Sequence, residues 1–515
     1  MRFLSPRLLA IAAVSWLFDV GFATAAFGTA PPATPILAAE DACSSLQASL
    51  GSTIVQSSGG KDYSSGTSNA WSYLNNQQQP SCIVFPQKAA HVQTAMTAIY
   101  RNNARYAVQA GGHSAVTGWN NVQGGVLIFF SRMKNVSYNA TRDTIALDPG
   151  IHWGDALTQL EKFGVAPAGG RLNDVGTGLL LGGGYSYLAG EYGFSSDLYV
   201  EVDVVLVNGT LVTATASNHY ADLFRALKGG ANRFGIVTRY EVQAIHTGRI
   251  SDKNWFGGLI MYPNSSADAL IQAVEKYVRT VNDPKASILM AFSNVVNGPG
   301  PRSVQDPTPA IGPMHILTLF YHGTSLPSNI FGDFLAIPSV TKQLGAVSYI
   351  DAQNILGNGG DRGYGQLFGA SVLQGGAGLD QYQAAFRLWS NYTSTVRSNS
   401  YATVLAFTPI QVSQIQAGRD KGGNLMDPPL SNYAAVQIQT QMTKGLKDSS
   451  GIQGPRQQLF KELPRTPGYP LYINECDSSQ SVFETYGRYS EMKTTYAKYD
   501  PTRFNVRFTD GPSGL

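Results

Sequence analysis

The chain has 515 residues, of which 43% are hydrophobic, 11% aromatic and 14% charged. That length accommodates two or three domains, and so apolar and aromatic a composition excludes an intrinsically disordered chain. The formal net charge is only +3, and no run of like charges occurs. This excludes a nucleic-acid footprint, which needs clustered Lys and Arg.

At the amino terminus Arg2 and Arg7 precede an apolar run from Leu8 to Phe18, and small residues follow at Ala23, Thr24, Ala25 and Ala26. A basic start, a short apolar stretch and a small-residue exit predict a secretory signal peptide over residues 1–25. A membrane anchor is the alternative reading, but the run is shorter than the roughly 20 apolar residues a spanning helix needs. Export makes the mature protein secreted or lumenal and permits disulfides. Cys43, Cys82 and Cys476 are the three cysteines. A Cys43–Cys82 bridge would leave Cys476 free, although the sequence alone does not choose the pairing. N-x-S/T sequons at Asn135, Asn139, Asn208, Asn264 and Asn391 predict surface N-glycosylation.

Ordered structure is expected from about Asp41. Ile83 to Phe85 reads as a strand stopped by Pro86, and Val92, Ala95, Met96 and Ile99 give one apolar face to a helix from Ala89 to Asn102. Tyr106 to Gln109, Val126 to Phe130 and Thr144 to Leu147 read as strands, and Asp155 to Phe163 as a helix. Val202 to Thr215 is a hairpin turning on Asn208-Gly209. A short helix (Ala221 to Lys228) and a strand (Ile236 to Ala244) complete an interleaved α+β unit over residues 78–248. A second, sheet-containing domain is expected over residues 249–465. It has strands at Ile316 to Tyr321 and Ala434 to Gln441, and helices at Ala267 to Val281 and Asp380 to Arg397. A compact C-terminal segment over residues 466–508 holds a strand (Leu471 to Asn474) and a helix (Tyr486 to Tyr499).

The chain has no His-Glu-x-x-His or Cys-x-x-Cys pattern, so no zinc or other metal site is expected. It also lacks a Gly-x-Ser-x-Gly elbow and a Walker loop. What remains are glycine clusters at Gly111-Gly112, Gly169-Gly170, Gly176 to Gly184 and Gly229-Gly230. Glycine lets a backbone approach a ligand closely, and successive N–H groups cradle a pyrophosphate. A Rossmann reading of Gly176 to Gly182, with Asp197 on the ribose, fits poorly. The third glycine is one residue late and no clean strand precedes it.

The stronger pattern is Val108-Gln109-Ala110-Gly111-Gly112-His113-Ser114. It resembles the Arg-x-Gly-Gly-His-Ser motif of flavin-linked oxidases of the vanillyl-alcohol-oxidase and p-cresol-methylhydroxylase (PCMH) type, in particular the berberine-bridge-enzyme-like branch with its fungal members. The resemblance runs through most of the chain. It includes Cys82 to Pro86, Asp148 to Trp153, Gly182 to Ser186, Gly190 to Gly193 and the run from Leu223 to Thr238. Towards the C terminus it includes Tyr472-Ile473-Asn474, Tyr486-Gly487 and Lys498 to Pro501.

The resemblance implies a two-part PCMH-type FAD-binding domain followed by a substrate domain whose antiparallel sheet is flanked by helices. The C-terminal segment completes the flavin site. It implies FAD attached covalently through His113. Its other contacts would come from Gln109, Ala110, Gly111, Gly112, Ser114, Gly150, Gly170, Asp174, Val175, Gly176, Gly178, Gly183, Tyr185, Gly235, Ile236, Val237 and Asn474. Some relatives add a second bond from a Cys in Gly-x-Cys-x-x-Val-Gly. Here that run is Gly170 to Gly176 with Leu172 at the Cys position, so attachment through His113 alone is expected. Tyr472 and Glu475 are the candidate catalytic bases, the latter replacing a Tyr common in relatives.

The implied activity is oxidation of an alcohol, sugar or secondary metabolite, with electrons passed to dioxygen and hydrogen peroxide released. The expected partners are a small-molecule substrate and O2, with the mature protein a monomer off the membrane. The alternatives are a flavin dehydrogenase with another acceptor, an oxidative cyclase of a fungal biosynthetic pathway, and a secreted flavin-fold binding protein.

Overall fold

The structure, a computed structural model, describes residues 35–295, 313–360 and 362–515. The expected signal peptide lies outside the described residues. Among the described residues three sheets organise the fold. The first comprises β1 (Val55–Gln56), β2 (Cys82–Val84), β3 (Tyr106–Gln109) and β4 (Val126–Phe129), in the order β1-β2-β4-β3. β2, β4 and β3 are parallel, whereas β1 pairs antiparallel with β2. The helix Ala89–Asn102 returns the chain from β2 to β3. It buries Val92, Ala95, Met96 and Ile99 and ends where Asn103 takes φ 51°. This is the periodicity expected, with the same bounds.

Order begins earlier than expected, because a helix spans Pro35–Leu50 and buries Ala39, Ala42 and Leu46. A disulfide joins its Cys43 to Cys82 at the head of β2. That helix and β1 lie before residue 78 yet share the core of the first sheet.

The second sheet is antiparallel and contains β5 (Val136–Asn139), β6 (Thr144–Leu147), β7 (Tyr199–Val205), β8 (Leu211–Ala214) and β9 (Ile236–Gln243), in the order β5-β6-β9-β7-β8. The β7–β8 hairpin turns at Asn208-Gly209, with Gly209 at φ 86° as such a turn requires.

The third sheet has seven antiparallel strands: β10 (Trp255–Pro263), β11 (Ala286–Val295), β12 (Met314–Tyr321), β13 (Thr341–Val347), β14 (Gln366–Gln374), β15 (Ser400–Ile410) and β16 (Tyr433–Met442). Their order is β13-β10-β12-β11-β15-β16-β14. Side chains alternate faces along each strand. Leu405, Phe407, Ile438 and Leu317 therefore pack under the helices Ala267–Thr280, Leu379–Thr395 and Ser450–Glu462. Ala370, Val372, Ile410 and Ala435 instead join the core of the second sheet.

The C-terminal segment closes back onto the first two sheets. The buried Arg233 guanidinium donates to the carbonyls of Asn505, Thr509 and Pro512, and Phe504 enters the core of the first sheet. Leu471 to Asn474 is not the strand expected. It is extended chain leading into a 3-10 turn, Ile473–Glu475, with no strand partner. Its apolar residues bury against the second sheet's core instead of extending a ladder.

Candidate active site

The parallel strands β3 and β4 end side by side, so the loops that follow them emerge on one edge. A cavity of about 330 Å³ opens there, lined by Ala110, Ser131, Arg132, Lys134 and His152 among others. Crevices beyond the carboxyl ends of parallel strands are where open α/β sheets take nucleotides. Arg132 and Lys134 give the rim positive charge, and Arg132 is held by Asp62 at 2.7 Å. The loop after β3 crosses the Gly170 to Gly184 segment here. A Cβ on Gly111 would come within 2.6 Å of the Gly176 backbone, and the reverse holds equally. Two glycines therefore let the two halves of the unit touch.

His113 sits at this crossing. Its ring stacks on Trp71, with centroids 4.1 Å apart and planes 12° apart. Its Nε2 lies 3.6 Å from Asp174 Oδ1, and the atom is buried without a hydrogen-bond partner in the structure. Burial holds the His113 pKa below the ordinary range, opposed by the Asp174 charge; Arg362 and His152 add to the lowering. The ring is thus a neutral imidazole at neutral pH. His152 is also held down, by burial first and then by Lys134.

A second cluster, which does not line that cavity, is aromatic and acidic. Tyr185 and Tyr472 stack with centroids 3.7 Å apart. Asn474 Nδ2 donates to the Tyr472 hydroxyl at 2.9 Å and to the Leu179 carbonyl at 3.0 Å, tying the C-terminal turn to the glycine-rich segment. Glu475 is buried beside Arg171, with Oε1 3.6 Å from Nη2, and Arg171 Nη1 donates to Thr408 Oγ1 on β15 at 3.0 Å. Burial pushes the Glu475 pKa up to about 7, with Arg171 opposing the rise. The phenols of Tyr472 and Tyr185 are raised above their ordinary value, mainly by burial. At neutral pH they are neutral hydroxyls, whereas Glu475 exchanges a proton readily.

The remaining residues expected at the site fall into groups. The Gln109 amide accepts from Asn69 Nδ2 and donates to the Asn120 carbonyl, both at 2.9 Å, and so shapes the loop from within. Ser114 Oγ accepts from the Val116 N–H at 3.2 Å. The Gly170 carbonyl accepts the Gln353 amide, and the Val175 carbonyl accepts the Trp153 N–H. Gly178 faces open space, with nothing within 4 Å of a built Cβ. Gly150, Gly183 and Gly235 instead pack closely against Phe130, Met426 and Val205. Ile236 and Val237 point their side chains into separate cores and offer only backbone.

Asp197, the ribose ligand of a Rossmann reading, is buried. It accepts from the Phe194 N–H and Asn424 Nδ2, so it is an internal staple. Trp71 packs on His113 and Arg171 pairs with Glu475, yet neither is singled out from the sequence. Trp71 carries no motif. Arg171 stands in the recognised run, and its charge beside a missing Cys was the available signal.

These features fit FAD. A nucleotide-sized cavity lies at the strand ends, an orphaned imidazole stands in the loop that borders it, and the Gly178 backbone is open. Residues 80–215 match the family model described as an FAD binding domain. This chain is an FAD-linked oxidoreductase with a PCMH-type fold. Among curated relatives, an FAD-linked oxidoreductase of Arthroderma benhamiae is 29% identical over 86% of this chain and 89% of its own length. An FAD-dependent monooxygenase of Arthrobotrys oligospora is 26% identical over 82% of this chain and 80% of its own length. The same fold is seen in the carbohydrate oxidase of Microdochium nivale, at TM-score 0.71 and 20% identity, covering 92% of this chain and 100% of that one. In this oxidoreductase the matched residues 80–215 carry β2 to β8, the greater part of the first two sheets. Among the described residues no helix is long and apolar enough to cross a membrane.

Proposed function

We propose that this oxidoreductase is a secreted, N-glycosylated oxidase, with FAD attached through His113 alone. It takes a hydride from a hydroxyl-bearing carbon of an alcohol, a sugar or a secondary metabolite. When bound, FAD accepts that hydride and returns the electrons to dioxygen, giving hydrogen peroxide. Glu475 is the base. The observation that carries this reading is the Glu475 carboxyl, buried beside Arg171 and the Tyr185–Tyr472 stack, where burial pushes its pKa up to about 7. A general base is most effective when its pKa lies near the working pH. Its carboxylate takes the substrate hydroxyl proton, while Tyr472 and Tyr185 supply a flat neutral wall that orients the substrate and excludes water.

His113 is suited to a covalent link because its ring is neutral at neutral pH and is fixed by stacking on Trp71 in the loop that borders the cavity. Leu172 lacks the sulfur for a second link. Export is supported by the Cys43–Cys82 disulfide and by the exposure of Asn135, Asn139, Asn208, Asn264 and Asn391. An oxidative cyclase acting on a secondary metabolite is the alternative form of this reading.

The test is a screen for peroxide release and oxygen uptake on sugars, aromatic alcohols and polyketide alcohols. Bleaching of the flavin under anaerobic conditions without oxygen uptake in air would make the enzyme a dehydrogenase. Acid-denatured protein should show flavin fluorescence at its own mass on a gel, and His113→Ala should abolish it.

A further inference from the structure

Three segments distant in sequence close around the imidazole of His113. Trp71 covers one face of the ring, and its Nε1 donates to the Gly359 carbonyl at 2.9 Å. The Gly359 N–H donates to Asp174 Oδ1 at 2.8 Å. Gly359 lies so close that a Cβ there would come within 2.2 Å of His113 Nε2. The Trp71 N–H donates to the Gly112 carbonyl at 2.8 Å, which locks this face to the loop carrying His113. The ring is therefore held in plane, with Nε2 turned towards Asp174, while a hydrogen bond with the backbone of His113 itself also favours the protonated ring. The charged and titratable groups around it are Asp174, Arg362 and His152. Of these Asp174 is the one anion, with Oδ1 3.6 Å from Nε2.

We propose that Asp174 is the positioning residue for covalent attachment. It holds the ring proton on Nε2, so that the Nδ1 lone pair is the nucleophile, and it takes that proton as the bond forms. The inference rests on the reading that His113 is the attachment residue. In the step, an N–C bond forms between Nδ1 and the flavin's exocyclic 8-methyl carbon. That carbon loses one hydrogen, and the imidazole loses its Nε2 proton to Asp174. The two electrons released pass through the flavin to dioxygen, which takes up two protons and leaves as hydrogen peroxide. Asp174 thus plays towards His113 the part that an orienting carboxylate plays towards a catalytic imidazole: it selects the tautomer and offsets the cation that would otherwise form.

The test uses purified full-length protein. Covalent flavin is measured as intact-mass gain and in-gel fluorescence, and non-covalent flavin as that released by acid. Wild-type protein should be fully attached. Asp174→Asn should retain non-covalent FAD, and aerobic incubation should convert it to the attached form more slowly by about 10²-fold. Asp174→Glu, which keeps a carboxylate, should recover part of that rate. Wild-type-like attachment in Asp174→Asn overturns the inference. If Asp174→Asn binds no flavin, Asp174→Glu decides: attachment supports the role, and bound but unattached flavin overturns it. Wild-type protein that releases all its flavin in acid sinks the His113 reading itself, an outcome distinct from failure of the Asp174 role alone.

Discussion

Arg171 and Glu475 face each other 3.6 Å apart, with side chains only 14% and 13% exposed. Withdrawal from water raises the carboxyl and the guanidinium lowers it, and burial wins, leaving a pKa of about 7. Such a carboxyl is suited to gain and lose a proton near neutral pH. If Glu475 is the base, only its carboxylate form works. Turnover should then rise with pH through about 7 and level off above it. Glu475→Gln should lower kcat by about 10²-fold and flatten that limb. A steady-state pH profile of both proteins checks this, and an unchanged limb in Glu475→Gln refutes the assignment.

Removing the opposing charge makes a separate prediction. Arg171 holds the Glu475 pKa down, so Arg171→Met should move the acidic limb of kcat/KM to higher pH. At pH 7 the variant should be slow, and at higher pH it should recover. A uniform loss at every pH would instead mean that Arg171 acts by contacting the substrate.

Much of the architecture around this pair was legible from local chemistry. The helix Ala89–Asn102 declared itself because its four apolar positions fall on one stripe, and the β7–β8 hairpin because Asn208-Gly209 accepts the positive φ of its turn. The loop carrying His113 was legible from its glycines. The segment Leu471 to Asn474 misled, because a short apolar run looks the same whether it joins a ladder or buries as a loop against another core. Trp71 and Gly359 were invisible for a different reason. Their hydrogen bond joins residues 288 positions apart, and no periodicity encodes that separation. The Arg171–Glu475 pairing across the glycine-rich segment and the C-terminal turn is equally non-local.

The Cys43–Cys82 bridge ties the first helix to β2 across a separation of 39 residues. Loop-closure entropy for that span gives a stabilisation of about 3–4 kcal/mol. Cys43→Ser with Cys82→Ser should therefore lower the thermal midpoint of the flavin-binding unit by several degrees, measured by flavin fluorescence on heating. An unchanged midpoint would show that the unfolded chain gains little freedom when the bridge is absent.

His315 on β12 gives a prediction about acid stability. It is fully buried, with Phe292 4.9 Å and Phe386 6.3 Å from it between ring centroids, and neither ring nitrogen has a hydrogen-bond partner in the structure. Burial holds its pKa down to about 4, from 6.5 in an exposed histidine. The folded state thus favours the neutral ring. Above pH 6.5 both states are neutral, and the fold carries no protonation penalty. As pH falls from 6.5 towards 4, the unfolded chain binds a proton that the folded chain refuses, and stability drops by up to roughly 3 kcal/mol. His315→Leu removes the titrating group while keeping an apolar filling. Urea melts at pH 7.5 and pH 4.5 should show a smaller acid-induced loss of stability in His315→Leu than in the wild type. Equal losses in the two proteins would mean that the ring is hydrated or partnered in solution and that acid sensitivity arises elsewhere.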